Sequence, residues 1–79
     1  MQLKEIIKIL PYDKINFEYR VYGTLPDEGK IDMLAGYCRW ENNNLISLDY
    51  DSYSVYDEID RYEIVDPGYV RVWYEGRWS

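Results

Sequence analysis

The stretch INFEYRVY, residues 15–22, decides the fold, because its hydrophobic and polar side chains alternate with a period of two. In an extended strand, successive side chains point to opposite faces of the sheet. One face would carry Ile15, Phe17, Tyr19 and Val21, and the other Asn16, Glu18, Arg20 and Tyr22. We therefore expect residues 15–22 to form a strand that has one face in the core.

Residues 3–10, just before this strand, have the pattern of an amphipathic helix. Hydrophobic side chains recur at the i, i+3, i+4, i+7 spacing of one helical face, namely Leu3, Ile6, Ile7 and Leu10. Pro11 ends the helix. A helix this short is not stable alone in water, so its hydrophobic face is expected to pack on the sheet.

A first hairpin is predicted over residues 34–50. Residues 34–41 and 45–50 are predicted as strands, and residues 42–44 are asparagines, which tolerate the left-handed backbone angles of a tight turn. The polar segment 23–30, with Pro26 and Gly29, is predicted as a loop before this hairpin. In the first strand, Leu34, Cys38 and Trp40 are expected to share one face, and in the second strand the residues expected to face the core are Ile46, Leu48 and Tyr50.

A second hairpin is predicted over residues 62–75, around the sequence Asp66-Pro67-Gly68. Pro at the second position and Gly at the third are typical of a type II turn. The residues expected to face the core are Val70, Val72 and Tyr74, and those on the other face are Arg71, Trp73 and Glu75. Residues 51–60 keep no single period, and we predict a short strand followed by one helical turn.

These elements predict an α+β fold, in which an N-terminal helix packs on a four- or five-stranded antiparallel sheet, with an SH3-like barrel as one form of that sheet. The chain of 79 residues has room for one domain, residues 1–79. The single cysteine, Cys38, cannot form an intrachain disulfide, and charged residues interrupt the N-terminal hydrophobic stretch. A cytoplasmic protein is therefore expected.

The composition excludes most catalytic chemistry. The chain has no histidine and one cysteine, so it lacks the commonest general base and the ligands of a structural zinc site. The residues from Asp49 to Asp60 do not match the pattern of a calcium-binding loop. Ser54 stands at the position where the turn needs Gly, and Asp60 stands where a bidentate Glu is needed. We predict a protein that is not an enzyme and has no cofactor. A weak divalent-metal site formed by carboxylates stays as an alternative.

The negative charge is concentrated between residues 49 and 66. The chain has 15 acidic and 9 basic residues, which gives a net charge of -6. Residues 49–66 contain seven of the acids and one base, Arg61, so this segment carries the whole net charge. Such clustering costs folding free energy through repulsion, which suggests a role beyond solubility. The net charge also opposes binding to nucleic acids and anionic membranes.

Tyrosines are interleaved with these acids, and tyrosine is enriched at protein interfaces. On a strand, Asp49 and Asp51 would project about 6.6–6.8 Å apart on one side, a spacing close to that of phosphates along one nucleic-acid strand. This pattern predicts a protein partner with a basic groove. The alternative is that the tyrosines pack on the sheet and the acids cap turns in solvent.

The segment LISLDYDSYS (45–54), continuing through DEI (57–59), YE (62–63) and VWYE (72–75), resembles small uncharacterised proteins of phages and integrative elements from gut Firmicutes. The opening LKEIIKIL (3–10) is similar to the start of many such proteins. Small acidic proteins from that source include anti-CRISPR and anti-restriction inhibitors, some of which mimic DNA in the channel of a nuclease. The resemblance implies that the surface over residues 49–66 is the DNA mimic.

Charge and resemblance together predict an inhibitor that binds a Cas effector or restriction enzyme in its basic nucleic-acid-binding groove, and that binds neither nucleic acid nor membrane directly. The predicted partner-binding residues are Asp49, Asp51, Tyr53, Tyr56, Asp57, Glu58, Asp60, Glu63, Asp66 and Trp73. The alternative is a generic interaction or accessory domain of a mobile element, with no inhibitory role, and one version of this alternative is homodimeric through an open sheet edge and Trp73.

Overall fold

The structure, a computed structural model, describes residues 1–49 and 58–76. This part of the chain contains one helix and five strands, numbered in chain order. They are α1 (Leu3–Ile9), β1 (Lys14–Leu25), β2 (Gly29–Glu41), β3 (Asn44–Asp49), β4 (Arg61–Asp66) and β5 (Tyr69–Glu75). The strands form a single sheet in the order β3-β2-β1-β5-β4.

The sheet is mixed rather than antiparallel. The pairings β1–β2, β2–β3 and β4–β5 are antiparallel, but β1 and β5 pair in parallel at the centre. The prediction of an antiparallel sheet was therefore wrong for the central pairing. Tight turns force the two strands of a hairpin to be antiparallel, whereas β1 and β5 are joined by a long connection that sets no direction locally. Within the described residues, β3 and β4 are separate edges, so the sheet is open and not an SH3-like barrel.

The predicted helix and its packing on the sheet are confirmed. Helix α1 buries its hydrophobic side against side chains of the central strands, and each such buried side chain contributes roughly 1.5–3 kcal/mol. The core contains Leu3, Ile6, Ile7, Leu10, Ile15, Phe17, Tyr19, Cys38, Trp40, Ile59, Val70 and Val72.

The turns follow the predicted residue types, although one of them is shorter than predicted. Asn42 and Asn43 have φ of 50° and 67°, as the β2–β3 turn requires. Gly68 has φ of 79°, the positive value that the predicted type II turn between β4 and β5 requires at its third position. The predicted loop over residues 23–30 is instead a tight hairpin, because β1 continues to Leu25 and β2 begins at Gly29.

An irregularity between β1 and β2 moves Leu34 to the face of the sheet opposite α1. Tyr19 is opposite Gly36 but Arg20 is opposite Leu34, so β2 has one extra residue at this point. Leu34 is therefore exposed, and the prediction that it shares a face with Cys38 and Trp40 was wrong. Cys38 and Trp40, which lie beyond the bulge, share one face as predicted, and both are buried.

A second irregularity, between β2 and β3, changes the predicted faces of β3. Ser47 is opposite Arg39 and Leu45 is opposite Trp40, so Ile46 is the extra residue. Ile46 is exposed, and the prediction that it faces the core was wrong. Leu48 is opposite buried Cys38 but is itself exposed, because β3 is an edge strand. The predictions for Tyr50 and for residues 51–57 lie outside the described residues.

Candidate functional site

The face of the sheet opposite α1, which we call the helix-free face, is built largely from charged and aromatic side chains. In β1, Phe17 and Tyr19 point into the core, so the residues between them point to the helix-free face. The parallel register then places the alternate residues of β5 beside them. The residues of the two central strands on this face are Asn16, Glu18, Arg20, Tyr22, Tyr69, Arg71, Trp73 and Glu75.

Glu18 is at the centre of a hydrogen-bond network on this face. The residue is only 7% exposed. Its carboxylate accepts hydrogen bonds from the Tyr69 hydroxyl at 2.7 Å, from Arg71 Nε at 2.6 Å and from Arg20 Nη1 at 3.3 Å. A buried carboxylate is costly unless it is paired and hydrogen-bonded, so these donors make the burial of Glu18 tolerable.

The network shifts the pKa values of its members. Burial alone would raise the pKa of Glu18, but the hydrogen bonds from Tyr69, Arg71 and Arg20 outweigh burial, and the pKa lies below its ordinary value. The hydrogen bond to Glu18 raises the pKa of Tyr69 to about 12, because the carboxylate favours the protonated phenol. At neutral pH, Glu18 is therefore ionised and Tyr69 is protonated.

Asp32 extends the network onto β2. Arg20 Nε donates to Asp32 Oδ1 at 2.7 Å, and Trp73 Nε1 donates to Asp32 Oδ2 at 3.2 Å. The hydrogen bond from Arg20 is the main reason that the pKa of Asp32 is lowered. We call the connected set the Glu18 network, which consists of Glu18, Arg20, Asp32, Tyr69, Arg71 and Trp73.

Trp73 lies on the helix-free face, as predicted, but it is only 6% exposed. The guanidinium of Arg61 lies 4.1 Å from the centroid of the Trp73 ring, and that of Arg71 lies 6.0 Å away. Both distances are in the range of cation–π contacts. A partner that used Trp73 as an anchor would therefore have to displace Arg61.

A shallow depression of about 400 Å³ adjoins the Glu18 network on the same face. Its lining includes Asn16, Tyr37, Arg39, Ser47, Asp49 and Tyr69. Tyr69 belongs to both features. Arg39 Nη2 donates to Glu41 Oε1 at 3.3 Å, whereas the Asp49 carboxylate has no ion pair or hydrogen bond to any other described residue. The depression thus contains a predicted site residue whose carboxylate has no partner in residues 1–49 and 58–76.

The predicted acids at the two ends of the acidic segment are far apart in the sheet. Asp49 ends β3, whereas Glu63 and Asp66 belong to β4, and these strands are the opposite edges. Four strand spacings separate the two edges, which is roughly 19 Å. Asp49 and Glu63 therefore do not contact one common small group.

The two predicted acids just before β4 have partners within the chain. The carboxylate of Glu58 pairs with the N-terminal ammonium of Met1. The carboxylate of Asp60 accepts a hydrogen bond from the Tyr22 hydroxyl, and this bond is the main reason that the pKa of Tyr22 is raised. The remaining predicted site residues, Asp51, Tyr53, Tyr56 and Asp57, lie outside the described residues.

The sequence interpretation missed Glu18 and its donors as a cluster. A signal was present, because β1 and β5 each carry charged residues at the alternate positions that do not face the core. Glu18 and Arg71 have opposite charges and lie side by side in the parallel register. Only a prediction that paired β1 with β5 would have brought these two residues together.

In residues 1–49 and 58–76, no three His, Cys, Asp or Glu side chains are arranged to hold a metal ion. No helix in the same ranges is long and apolar enough to cross a membrane. Comparisons with protein-family models, curated proteins and solved structures gave no match. The functional interpretation therefore rests on the geometry of the helix-free face and on the charge of the chain.

Proposed function

We propose that this chain is a protein-binding domain that contacts its partner with the helix-free face. The observation that carries the proposal is the concentration of arginine and aromatic side chains on this face. Arginine, tyrosine and tryptophan are the residue types most enriched at the energetic centres of protein interfaces. Every arginine of the described residues lies on this face, namely Arg20, Arg39, Arg61 and Arg71.

The Glu18 network supports this proposal because it holds long side chains in place before a partner arrives. Immobilising one flexible side chain at an interface costs about 0.5–1.5 kcal/mol. Arg20 and Arg71 are already hydrogen-bonded to Glu18 in the folded chain. Part of the entropy that a partner would otherwise have to remove is therefore lost on folding, which favours binding.

The depression beside the network offers chemistry that suits a cationic side chain. Tyr37 is 42% exposed, and Tyr37, Tyr69 and Asp49 all contribute to the lining. A lysine or arginine of the partner would meet aromatic rings and a carboxylate that has no partner among the described residues. The adjacent Arg39 is engaged by Glu41, which reduces its repulsion of such a cation.

Within the class of protein-binding domains, we propose an inhibitor of the anti-CRISPR or anti-restriction type. Its partner is a Cas effector or restriction enzyme with a basic groove. The support is the charge of -6, all of it between residues 49 and 66, together with Asp49, which has no ion pair or hydrogen bond to another described residue. The carboxylates would stand in for phosphates along both edges of the sheet. An accessory interaction domain without inhibitory activity is the alternative, and substitutions distinguish the two.

The inhibitor proposal is tested with DNA-cleavage assays on a panel of purified Cas effectors and restriction enzymes. The wild-type chain is expected to inhibit at least one enzyme, and less strongly at high salt. Asp49→Lys is expected to weaken inhibition about tenfold or more. Glu28→Lys, which makes the same charge change in the exposed β1–β2 turn, is the matched control. Inhibition unaffected by Asp49→Lys and by charge reversal of Asp60 would reject the DNA-mimic role.

The proposal that the helix-free face contacts the partner is tested with the same enzymes, by calorimetry or by surface-based binding assays. Tyr37→Ala is expected to weaken binding, whereas Lys8→Ala on the exposed side of α1 is the control. Equal losses for Tyr37→Ala and Lys8→Ala would show that the helix-free face is not the contact surface. Binding without inhibition of cleavage, lost in Tyr37→Ala, would favour the accessory domain.

A further inference from the structure

Strand β3 is an edge strand whose residues 44–48 carry no charge and no proline. It lies at the end of the strand order in the described residues, and all of its residues are exposed. An edge strand presents backbone N–H and C=O groups to which a second strand can bind. Natural proteins commonly protect such edges with Lys, Pro, other charged residues or a β-bulge. Of these features, β3 has the bulge at Ile46 and one charged residue, Asp49 at its end, and it has no Lys and no Pro.

The opposite edge strand, β4, is protected in this way. It carries Arg61, Glu63 and Asp66 within one short strand. Strand β3 exposes three hydrophobic side chains, Leu45 (41%), Ile46 (54%) and Leu48 (37%), and β4 exposes two, Ile64 (45%) and Val65 (39%), between its charged residues. Exposed hydrophobic side chains gathered on an open edge mark a surface that is covered by a partner.

The sequence of β3 is complementary to a second copy of itself in the antiparallel direction. A two-fold axis between Ile46 and Ser47 places Leu45 opposite Leu48 of the partner subunit. Leu45 and Leu48 both lie on the helix side, because they are opposite the buried residues Trp40 and Cys38. Leucines of both copies would therefore cluster on the helix side of the joined strands.

On the helix-free side, the same register also places compatible side chains opposite each other. Asn44 and Asp49 lie on the helix-free side, opposite Glu41 and Tyr37 of β2. The axis places the amide of Asn44 opposite Asp49 of the partner subunit, so no two like charges face each other. The charge and hydrophobic patterns thus favour the same pairing.

A depression of about 290 Å³ lies beside this edge. Its lining combines the hydrophobic residues Leu3, Trp40 and Leu45 with the polar residues Gln2, Lys4, Asn43 and Asn44. Because Leu45 would be opposite Leu48 of the partner subunit, a leucine of a second copy would lie next to this hydrophobic lining. The depression therefore supplies extra buried surface for the same pairing.

We propose that two copies of this chain pair through antiparallel β3 strands and join their sheets into one continuous sheet. Both α1 helices then lie on one side, and both helix-free faces lie on the other. The dimer would present two copies of the proposed recognition surface in one plane, which allows bivalent binding. The pairing itself is independent of the proposed function.

The test is sedimentation of the purified chain over a concentration range from micromolar to millimolar. The mass is expected to rise from 9.6 kDa towards twice that value. Leu48→Lys is expected to remain monomeric, while Ile64→Lys, the matched change on β4, dimerises like the wild type. Thermal unfolding of each variant verifies that it is folded. A wild-type chain that stays monomeric, or a dimer disrupted by Ile64→Lys and not by Leu48→Lys, would overturn the proposal.

The register is tested by disulfide formation between two single-cysteine additions. An affinity-tagged Leu45→Cys chain mixed with an untagged Leu48→Cys chain is expected to form a cross-linked heterodimer under mild oxidation. Either variant alone is expected to cross-link much less, as is the wild type, in which Cys38 is buried. Equal cross-linking of either variant with itself would contradict the proposed axis.

Discussion

The Tyr69 hydroxyl donates a 2.7 Å hydrogen bond to Glu18 Oε1, and this bond joins β5 to β1 at the centre of the sheet. The same tyrosine lines the depression that contains Asp49. Through Tyr69, this hydrogen bond therefore connects the central strands of the sheet to the proposed recognition surface. It also gives the Glu18 network a measurable dependence on pH.

Alkaline pH is expected to remove the contribution of Tyr69 to stability. The pKa of Tyr69 is raised from 10.0 to about 12 in the folded chain, so the folded state holds the phenol proton more tightly than the unfolded state. The stabilisation is fully present below pH 10 and is lost as the pH rises through about 12. Urea unfolding at increasing pH should show this loss for the wild type and not for Tyr69→Phe. Tyr12→Phe, outside the network, is the control, and identical pH profiles for all three proteins would contradict the prediction.

Replacing Glu18 by glutamine is expected to lower the free energy of unfolding by about 1–3 kcal/mol, because hydrogen bonds to a charged group are lost. The amide leaves Arg20 and Arg71 without the carboxylate that they share. Because the pKa of Glu18 is lowered from 4.5, the difference from the wild type should be present above pH 4.5 and shrink as the pH falls through the lowered pKa. Denaturant unfolding measures this difference in the free energy of unfolding. Glu28→Gln, in the exposed turn, should change stability by no more than about 0.5 kcal/mol.

The packing of α1 can be tested with two isoleucines of the same helix. Ile6 is 0% exposed and Ile9 is 60% exposed. Ile6→Ala is expected to lower the free energy of unfolding by about 2–5 kcal/mol, because it leaves a cavity in the core. Ile9→Ala should cost less than about 0.5 kcal/mol. Similar losses for the two variants, measured by thermal or denaturant unfolding, would mean that the helix does not dock as described.

Gly68 and Gly29 provide a matched test of the turns. Both have φ of 79°, which an L side chain rarely adopts. A Cβ at Gly68 would lie 3.1 Å from the Lys14 carbonyl oxygen, whereas a Cβ at Gly29 would meet nothing within 4 Å. Both alanine variants are expected to lose about 1–2 kcal/mol from the backbone conformation. Gly68→Ala should lose more, and an equal loss in unfolding experiments would show that the contact with Lys14 relaxes freely.

The elements that depend only on residues close together in the sequence could be predicted from the sequence. The alternation of residues 15–22 and the spacing of Leu3, Ile6, Ile7 and Leu10 correctly predicted β1 and α1. The turn residues Asn42, Asn43 and Gly68 have the positive φ that their types suggested. Each of these predictions uses only the preferences of a short stretch of chain, which the sequence expresses directly.

The features that depend on long-range pairing were not predictable in the same way. The bulges beside Leu34 and Ile46 move side chains between faces, and an alternation pattern cannot reveal one extra residue. The parallel pairing of β1 with β5 decides which residues surround Glu18, and no local signal specifies it. For the site, the sequence placed Trp73 on the correct face but did not show that Arg61 covers it.

The parallel pairing at the centre of the sheet also bears on how the chain folds. Glu18 and Arg71 are 53 residues apart in the sequence, so their contact closes a long loop, at an entropic cost that rises with loop length. The hairpins β1–β2 and β4–β5 close over short turns and can form within microseconds. During synthesis on the ribosome, β1 therefore has to wait with one edge uncovered until β5 has emerged. The middle of this sheet is expected to be the last part to assemble, and its rate of assembly sets how long the nascent chain is exposed to aggregation.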